Sequence, residues 1–262
     1  MDQSSDKDQT NASPTVRFRT LKRIVGAMIC SDAFGWLVGK LYGDVIPFSG
    51  TKINVNGIKI PSRNKALLYW GLYESAELRF VKAFLDTKLP TIELGASIGG
   101  ISSQLASRLD QGASLVCIEA NRELIAAVER NVKANAKHTS PTVKWGAVAY
   151  GSEYVEFQIG EDHLVSSLTG NSSHAVQRVP AIMLRDVAPQ ETYQLVSDIE
   201  GGEYDMLMHD KECLQRCSKA IIELHPVTRD GSVISIDQLK EMFCDCGFSV
   251  VASYGPVFVF ER

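Results

Sequence analysis

Glu93-Leu94-Gly95-Ala96-Ser97-Ile98-Gly99-Gly100 is the stretch that decides the fold. A short apolar strand pattern over residues 91–96 leads into it, and a helical pattern over 101–109 leads out of it. Glycines at the junction let the backbone turn sharply and approach a ligand closely. The dinucleotide fingerprint needs G-x-G-x-x-G. Here the order is G-x-x-x-G-G, and Ser97 stands where the second glycine belongs. The loop therefore suits a nucleoside ligand without a pyrophosphate better than it suits NAD.

Downstream, strand-like and helix-like segments alternate. Residues 114–119 read as a strand, and Asn121 is a good helix cap. After it, Leu124, Ile125, Val128 and Val132 share one helical face. Residues 143–149, 193–199 and 219–224 read as further strands, and 233–243 as mostly helix. Residues 248–252 and 257–260 form a closing antiparallel pair around Gly255-Pro256. The pattern predicts a Rossmann-like α/β fold: a mainly parallel sheet, helices on both faces, and a C-terminal antiparallel hairpin. It breaks between Tyr154 and Leu184, where alternation over 154–159 predicts a short strand and the polar loop 166–174 a lid or acceptor loop. The expected division is a disordered tail (1–15), a helical N-terminal extension (16–88) and the α/β domain (89–262).

Acidic residues end the predicted strands. Glu119 lies some 20 residues past the glycine loop, where an acid accepts hydrogen bonds from ribose hydroxyls. Together, loop and acid point to an adenosine-containing cofactor. Asp198-Ile199-Glu200-Gly201-Gly202-Glu203 follows the fourth strand. Crowding among its carboxylates raises the pKa of one of them, as a general base requires. Glu203 also reads simply as the start of a helix, where its charge complements the dipole. On the fifth strand Glu223 and His225 are two residues apart and point the same way. His225 is a further candidate base.

Composition narrows the class. The 262 residues are 45% hydrophobic and 22% charged, as in an ordinary soluble domain. A net charge of −4 gives no footprint of a nucleic-acid partner. The six cysteines show neither a disulfide framework nor paired zinc spacing, although Cys213, Cys217, Cys244, Cys246 and His209 can be drawn as a metal site. Reduced thiols in the cytoplasm are the expected state, with no metal required. The apolar run 24–38 is broken by Asp32 and is too short to span a bilayer. Packing of this run against the domain is expected. The second reading is a weak peripheral contact with anionic lipid through Arg17, Arg19, Lys22 and Arg23.

Several stretches together resemble the FkbM-type methyltransferases, a branch of the class I S-adenosylmethionine-dependent enzymes. They are Tyr73-Glu74, ELGASIGG from Glu93, IEAN from Ile118, DIEGGEYDML from Asp198 and IIELHP from Ile221. The resemblance runs from about Leu68 to the C-terminus, and DIEG-x-E followed by E-x-H is its most specific part. It implies S-adenosylmethionine as cofactor, with contacts at Glu93, Gly95, Ala96, Gly99, Glu119 and Asn121. It places Asp198 and Glu200 beside the methionine end or the acceptor. It further implies methyl transfer to a hydroxyl of a sugar, glycan or secondary metabolite, with Asp198, Glu200 and His225 as ordered candidates for the base. Glu74, His163 and His174 stand behind them. The adjacent acids could instead hold a divalent cation that orients the acceptor. The rival readings are a nicotinamide-dependent oxidoreductase and a non-catalytic nucleoside-binding module.

Overall fold

The computed structural model of the chain describes residues 26, 29–159, 166–167 and 175–262. The tail 1–15, the basic cluster from Arg17 to Arg23, His163, His174 and most of the loop 166–174 lie outside the described residues. Helix α1 (Asp32–Tyr42) starts on Ser31, whose Oγ accepts the Phe34 N–H at 3.2 Å. Strands β1 (Val45–Phe48) and β2 (Thr51–Asn54) form an antiparallel hairpin, followed by helices α2 (Ser62–Trp70) and α3 (Ser75–Phe84). The segment expected to be helical thus contains a hairpin. Its turn, Ser49-Gly50, lies between Ile46, Phe48 and Ile53, all 0% exposed. Helix α1 closes onto α2 at Gly35, where a Cβ would overlap the carbonyl of Ser62.

The chain then enters the central sheet through β3 (Thr91–Leu94), α4 (Gly100–Ala106), β4 (Leu115–Glu119), α5 (Arg122–Asn135) and β5 (Thr142–Trp145). A small sheet follows, made of β6 (Ala147–Val148), β7 (Tyr154–Ile159), β8 (Ser166–Ser167) and β9 (Ala175–Ile182). The central sheet resumes with β10 (Tyr193–Ser197), α6 (Glu203–His209), α7 (Lys211–Leu214) and β11 (Cys217–Glu223). A minor hairpin, β12 (Val227–Arg229) and β13 (Ser232–Ile234), precedes α8 (Ile236–Asp245), β14 (Ser249–Tyr254) and β15 (Val257–Glu261). The seven central strands run in the order β14-β15-β11-β10-β3-β4-β5. Strands β11, β10, β3, β4 and β5 are parallel, and β15 pairs antiparallel with both β11 and β14.

Period-two alternation sorts the core into two layers. Cys117, Val196, Ile221 and Val259 face the layer that α3, α4 and α5 cover with Val81, Leu105 and Val128. Ile118, Leu195, Ile222 and Phe258 face the opposite layer, built with Leu207 of α6, Leu214 of α7 and Phe243 of α8. This is the expected sheet, covered on both faces and closed by the antiparallel pair. Among the boundaries that differ from the sequence reading, two change which element or sheet the residues belong to. Residues 143–149 are not one strand, because the chain leaves the central sheet at Gly146 and β6 joins the small sheet. Val233 and Ile234 are not helical but belong to β13; α8 starts after Ser235, whose Oγ caps it reciprocally with Gln238.

Side-chain amides fix the N-terminal hairpin to the domain. Asn131 Oδ1 accepts the Asn54 N–H at 2.7 Å, and its Nδ2 donates to Asn54 O at 3.1 Å and to Ile98 O at 2.8 Å. Asn135 Oδ1 accepts the Lys52 N–H at 3.1 Å, and its Nδ2 donates to Lys52 O at 2.8 Å. Two asparagines on α5 thus satisfy the open edge of β2 as a neighbouring strand would.

Candidate active site

Strand order reverses beside β3, which lies between β4 and β10. In open α/β sheets the ligand crevice forms there, above the carboxyl ends of the strands. A cleft open to solvent occupies this place. Its floor is Gly95, Ser97, Ile118 and Glu119, and the small sheet supplies a wall with Ala147, Val148 and Phe157. Tyr73 and Glu74 close one side, and Asp198, Ile199 and Glu200 another.

Of the expected cofactor contacts, Gly95 and Glu119 line this cleft, whereas Glu93, Ala96, Gly99 and Asn121 do not. Glu93 points into the core and is 2% exposed. Ala96 is equally buried, with its N–H bonded to Ile118 O at 3.0 Å. Gly99 caps α4 and packs against Val128 and Asn131. Asn121 caps α5 by accepting the Glu123 N–H at 3.0 Å. Its own N–H reaches Glu119 Oε1 at 2.6 Å, while the Ser97 N–H reaches Glu119 Oε2 at 2.6 Å. These bonds hold the Glu119 carboxylate at the cleft floor, where burial pushes its pKa up to about 7 against the backbone donors.

The three candidate bases converge. Asp198 and Glu200 follow β10, His225 follows β11, and the two strands are parallel neighbours. One ligand atom from each lies within 4.8 Å of the others. His225 Nε2 is 3.9 Å from Asp198 Oδ1, 3.5 Å from Glu200 Oε2 and 3.5 Å from Glu223 Oε1. Its Nδ1 faces Glu203 Oε1 at 3.4 Å. Burial pushes Asp198 up to about 7, reinforced by Glu223 and opposed by His225. Burial also raises Glu200. For His225, burial opposes the charge, but hydrogen bonds to Glu203 and Glu223 and the field of Glu200 outweigh it and push the ring up to about 11. Of these three candidates, Asp198 and Glu200 line the cleft, and His225 stands behind them.

Some members of this group have no local signature. Glu203 does begin helix α6, yet it is also 0% exposed and accepts the Gly201 N–H at 2.9 Å. Glu77 on α3 hydrogen-bonds Glu223, and burial pushes it up to about 8. Tyr73 meets the Ser97 hydroxyl at 3.0 Å. The cysteines take no part; Cys117, Cys213 and Cys217 are buried, and the thiols do not gather with His209 into a ligand cluster among the described residues.

Glu93 supplies a stability test. Burial pushes its pKa from 4.5 up to about 7, and its Oε2 has no partner. Folding then favours the protonated form. The stability this contributes is full below about pH 4.5 and is lost as pH rises through about 7. Glu93→Gln mimics the protonated acid. It is expected to stabilise the fold at pH 8 by an amount on the order of 3 kcal/mol and to be near neutral at pH 5. Urea unfolding at both pH values measures this; equal destabilisation at both would overturn the account.

The sequence pattern that defines the methyltransferase FkbM domain matches residues 93–250, more than half of the chain. The chain belongs to the FkbM methyltransferase family. Membership carries methyl transfer as the activity and S-adenosylmethionine as the cofactor of this class I fold. Comparison with curated proteins returns no match. Among solved structures, the chain is similar to magnesium protoporphyrin IX methyltransferase from Synechocystis PCC 6803 with bound SAH. That likeness has TM-score 0.44 and 13% identity and covers 92% of this chain and 98% of that one. Aeropyrum pernix fibrillarin, with natively bound S-adenosyl-L-methionine, gives TM-score 0.41 and 10% identity over 72% of this chain and 74% of that one. A methyltransferase from Pyrococcus furiosus gives TM-score 0.41 and 15% identity over 70% and 80%. Among the described residues of this FkbM methyltransferase, no helix is long and apolar enough to cross a membrane.

Proposed function

We propose that this methyltransferase acts on a hydroxyl of a small polar acceptor: a sugar, a glycan or a secondary metabolite. The observation that carries the reading is Asp198, a half-buried carboxylate lining the same cleft as Gly95 and Glu119. The cleft suits the cofactor. Gly95 presents bare backbone, and Ile118, Ala120 and Leu124 offer an apolar wall. When bound, S-adenosylmethionine supplies a methyl group already activated by its sulfonium. The protein's own work is alignment and proton removal. Glu119 spends one lone pair per oxygen on backbone N–H groups and keeps the others for ribose hydroxyls. A hydroxyl is a poor nucleophile until its proton leaves, and Asp198 accepts that proton. The sugar, glycan or metabolite class rests on the family resemblance.

The nicotinamide reading is disfavoured by Ser97. With its hydroxyl against Tyr73, it fills the place where a pyrophosphate loop keeps glycine. A cytoplasmic setting is supported by the free thiols.

Calorimetry with S-adenosylhomocysteine tests the cleft. We expect roughly micromolar affinity, about −8 kcal/mol. Glu119→Gln is expected to weaken it by about 1.5–3 kcal/mol, the scale of charge-assisted hydrogen bonds. Absence of heat and of thermal shift at millimolar ligand would overturn the site. Parental affinity in Glu119→Gln would overturn the ribose assignment.

A further inference from the structure

Ordinary hydrogen bonding leaves part of the acidic cluster unexplained. Each separation between His225 and its four carboxylate neighbours, 3.4 to 3.9 Å, exceeds the roughly 2.7–2.9 Å of a charge-assisted hydrogen bond. Asp198 Oδ1 is a buried atom with no hydrogen-bond partner. Behind the cluster Glu77 is 6% exposed, reaches Glu223, and keeps Oε1 unpartnered. Among the described residues, no lysine or arginine forms an ion pair with Asp198, Glu200, Glu203 or Glu223. One imidazole serves them all. Glu203 is fully buried and Asp198 keeps one buried oxygen without a hydrogen bond, so a cation placed among these acids would be favoured.

We propose that Asp198 Oδ1, Glu200 Oε2 and His225 Nε2 hold a divalent cation, which takes the place of the proton on Nε2. Ligand atoms about 2.1 Å from one centre lie about 3.0 to 4.2 Å apart, from adjacent to opposite positions. The His225 Nε2 distances to Asp198 and Glu200, 3.9 and 3.5 Å, fall inside that range. The environment of the other ring nitrogen agrees. Metal-ligating histidines donate their second N–H to a carboxylate, which fixes the ring and its tautomer. Glu203, fully buried and anchored by the Gly201 N–H, stands opposite His225 Nδ1. Mixed carboxylate and imidazole ligation suits manganese or a similar divalent ion. Asp198 and Glu200 line the cleft, so the ion has an open side toward the acceptor. Asp198 retains Oδ2 for the acceptor's proton. Only the ion's role rests on the proposed acceptor chemistry; its binding does not.

The test uses the full chain, stripped with chelator and titrated with Mn²⁺ while the resonance of free Mn²⁺ is followed. One ion per chain is expected. Glu200→Gln and His225→Ala should each weaken Mn²⁺ binding at least about tenfold, and Glu203→Gln by about 10–100-fold, the usual effect of a supporting partner. Glu200 is exposed, so Glu200→Gln leaves the fold undisturbed. S-adenosylhomocysteine affinity of His225→Ala, whose side chain does not line the cleft, is measured alongside and should stay within about threefold, well under 1 kcal/mol. No stoichiometric binding up to about 1 mM Mn²⁺ would overturn the site. So would parental Mn²⁺ affinity in both Glu200→Gln and His225→Ala. If Mn²⁺ binds as expected while the parent ignores S-adenosylhomocysteine, the ion site stands and the cofactor cleft falls.

Discussion

Asp198→Asn is expected to slow methyl transfer by about a hundredfold to ten-thousandfold, the usual yield of general base catalysis. The substitution keeps the shape of the side chain and leaves the backbone untouched. That matters because the Asp198 N–H bonds Leu94 O at 2.9 Å and its carbonyl lies against Gly95. What is lost is a lone pair able to take a proton. Cofactor affinity should change by less than about threefold, because Glu119, not Asp198, holds the ribose end. Transfer of labelled methyl groups, screened against glycans and metabolites of the native host, gives the turnover. S-adenosylhomocysteine calorimetry gives the binding. Saturating Mn²⁺ is not expected to restore the rate, since an amide with the ion in place still lacks the proton acceptor. Turnover near that of the parent would remove Asp198 from this role.

Features written in contiguous residues were legible in the sequence. The glycine loop, the Asn121 cap and the acid ending β4 each depend on a few neighbouring positions, and the structure has all of them. Alternation along β10, β11 and β15 carries enough information to place both layers of the core. The register of two parallel strands then brings Asp198 and His225 together without further instruction. The rest depends on packing across long sequence distance. Helix α3 delivers Glu77 to Glu223, 146 residues later, and no local pattern announces that. The ring of carboxylates around His225 arrives from several elements, which a lone histidine at a strand end does not announce. The hairpin in the N-terminal extension did have a local signal. Ser49-Gly50 between alternating buried residues is a turn with a mechanism, and helical expectation for the whole segment passed over it.

Gly95→Ala is expected to cost more than any other single methyl group considered at the site. Gly95 has φ of +86°, which an L-residue adopts at a cost of roughly 1–2 kcal/mol. Strain alone is not the main effect. A Cβ there would overlap the carbonyl oxygen of Asp198. That oxygen belongs to backbone at the end of β10, whose N–H is already tied to Leu94, so no flexible side chain can swing aside. The Gly95 N–H is likewise committed to Ile118 O at 3.0 Å. Relief therefore requires β3 and β10 to part at their carboxyl ends, which is the floor of the cleft. Loss of stability on the order of 3–5 kcal/mol follows, in the range reserved for core disruption. S-adenosylhomocysteine affinity should fall by more than about a hundredfold, or nearly 3 kcal/mol. Gly112→Ala separates the two causes. Gly112 has φ of +97° and nothing within 4 Å of an added Cβ, so it carries the strain without the collision. Thermal and urea unfolding of the two variants, with cofactor binding in parallel, decide the matter. If Gly95→Ala unfolds like Gly112→Ala and binds S-adenosylhomocysteine like the parent, the contact between the glycine loop and Asp198 does not shape the site.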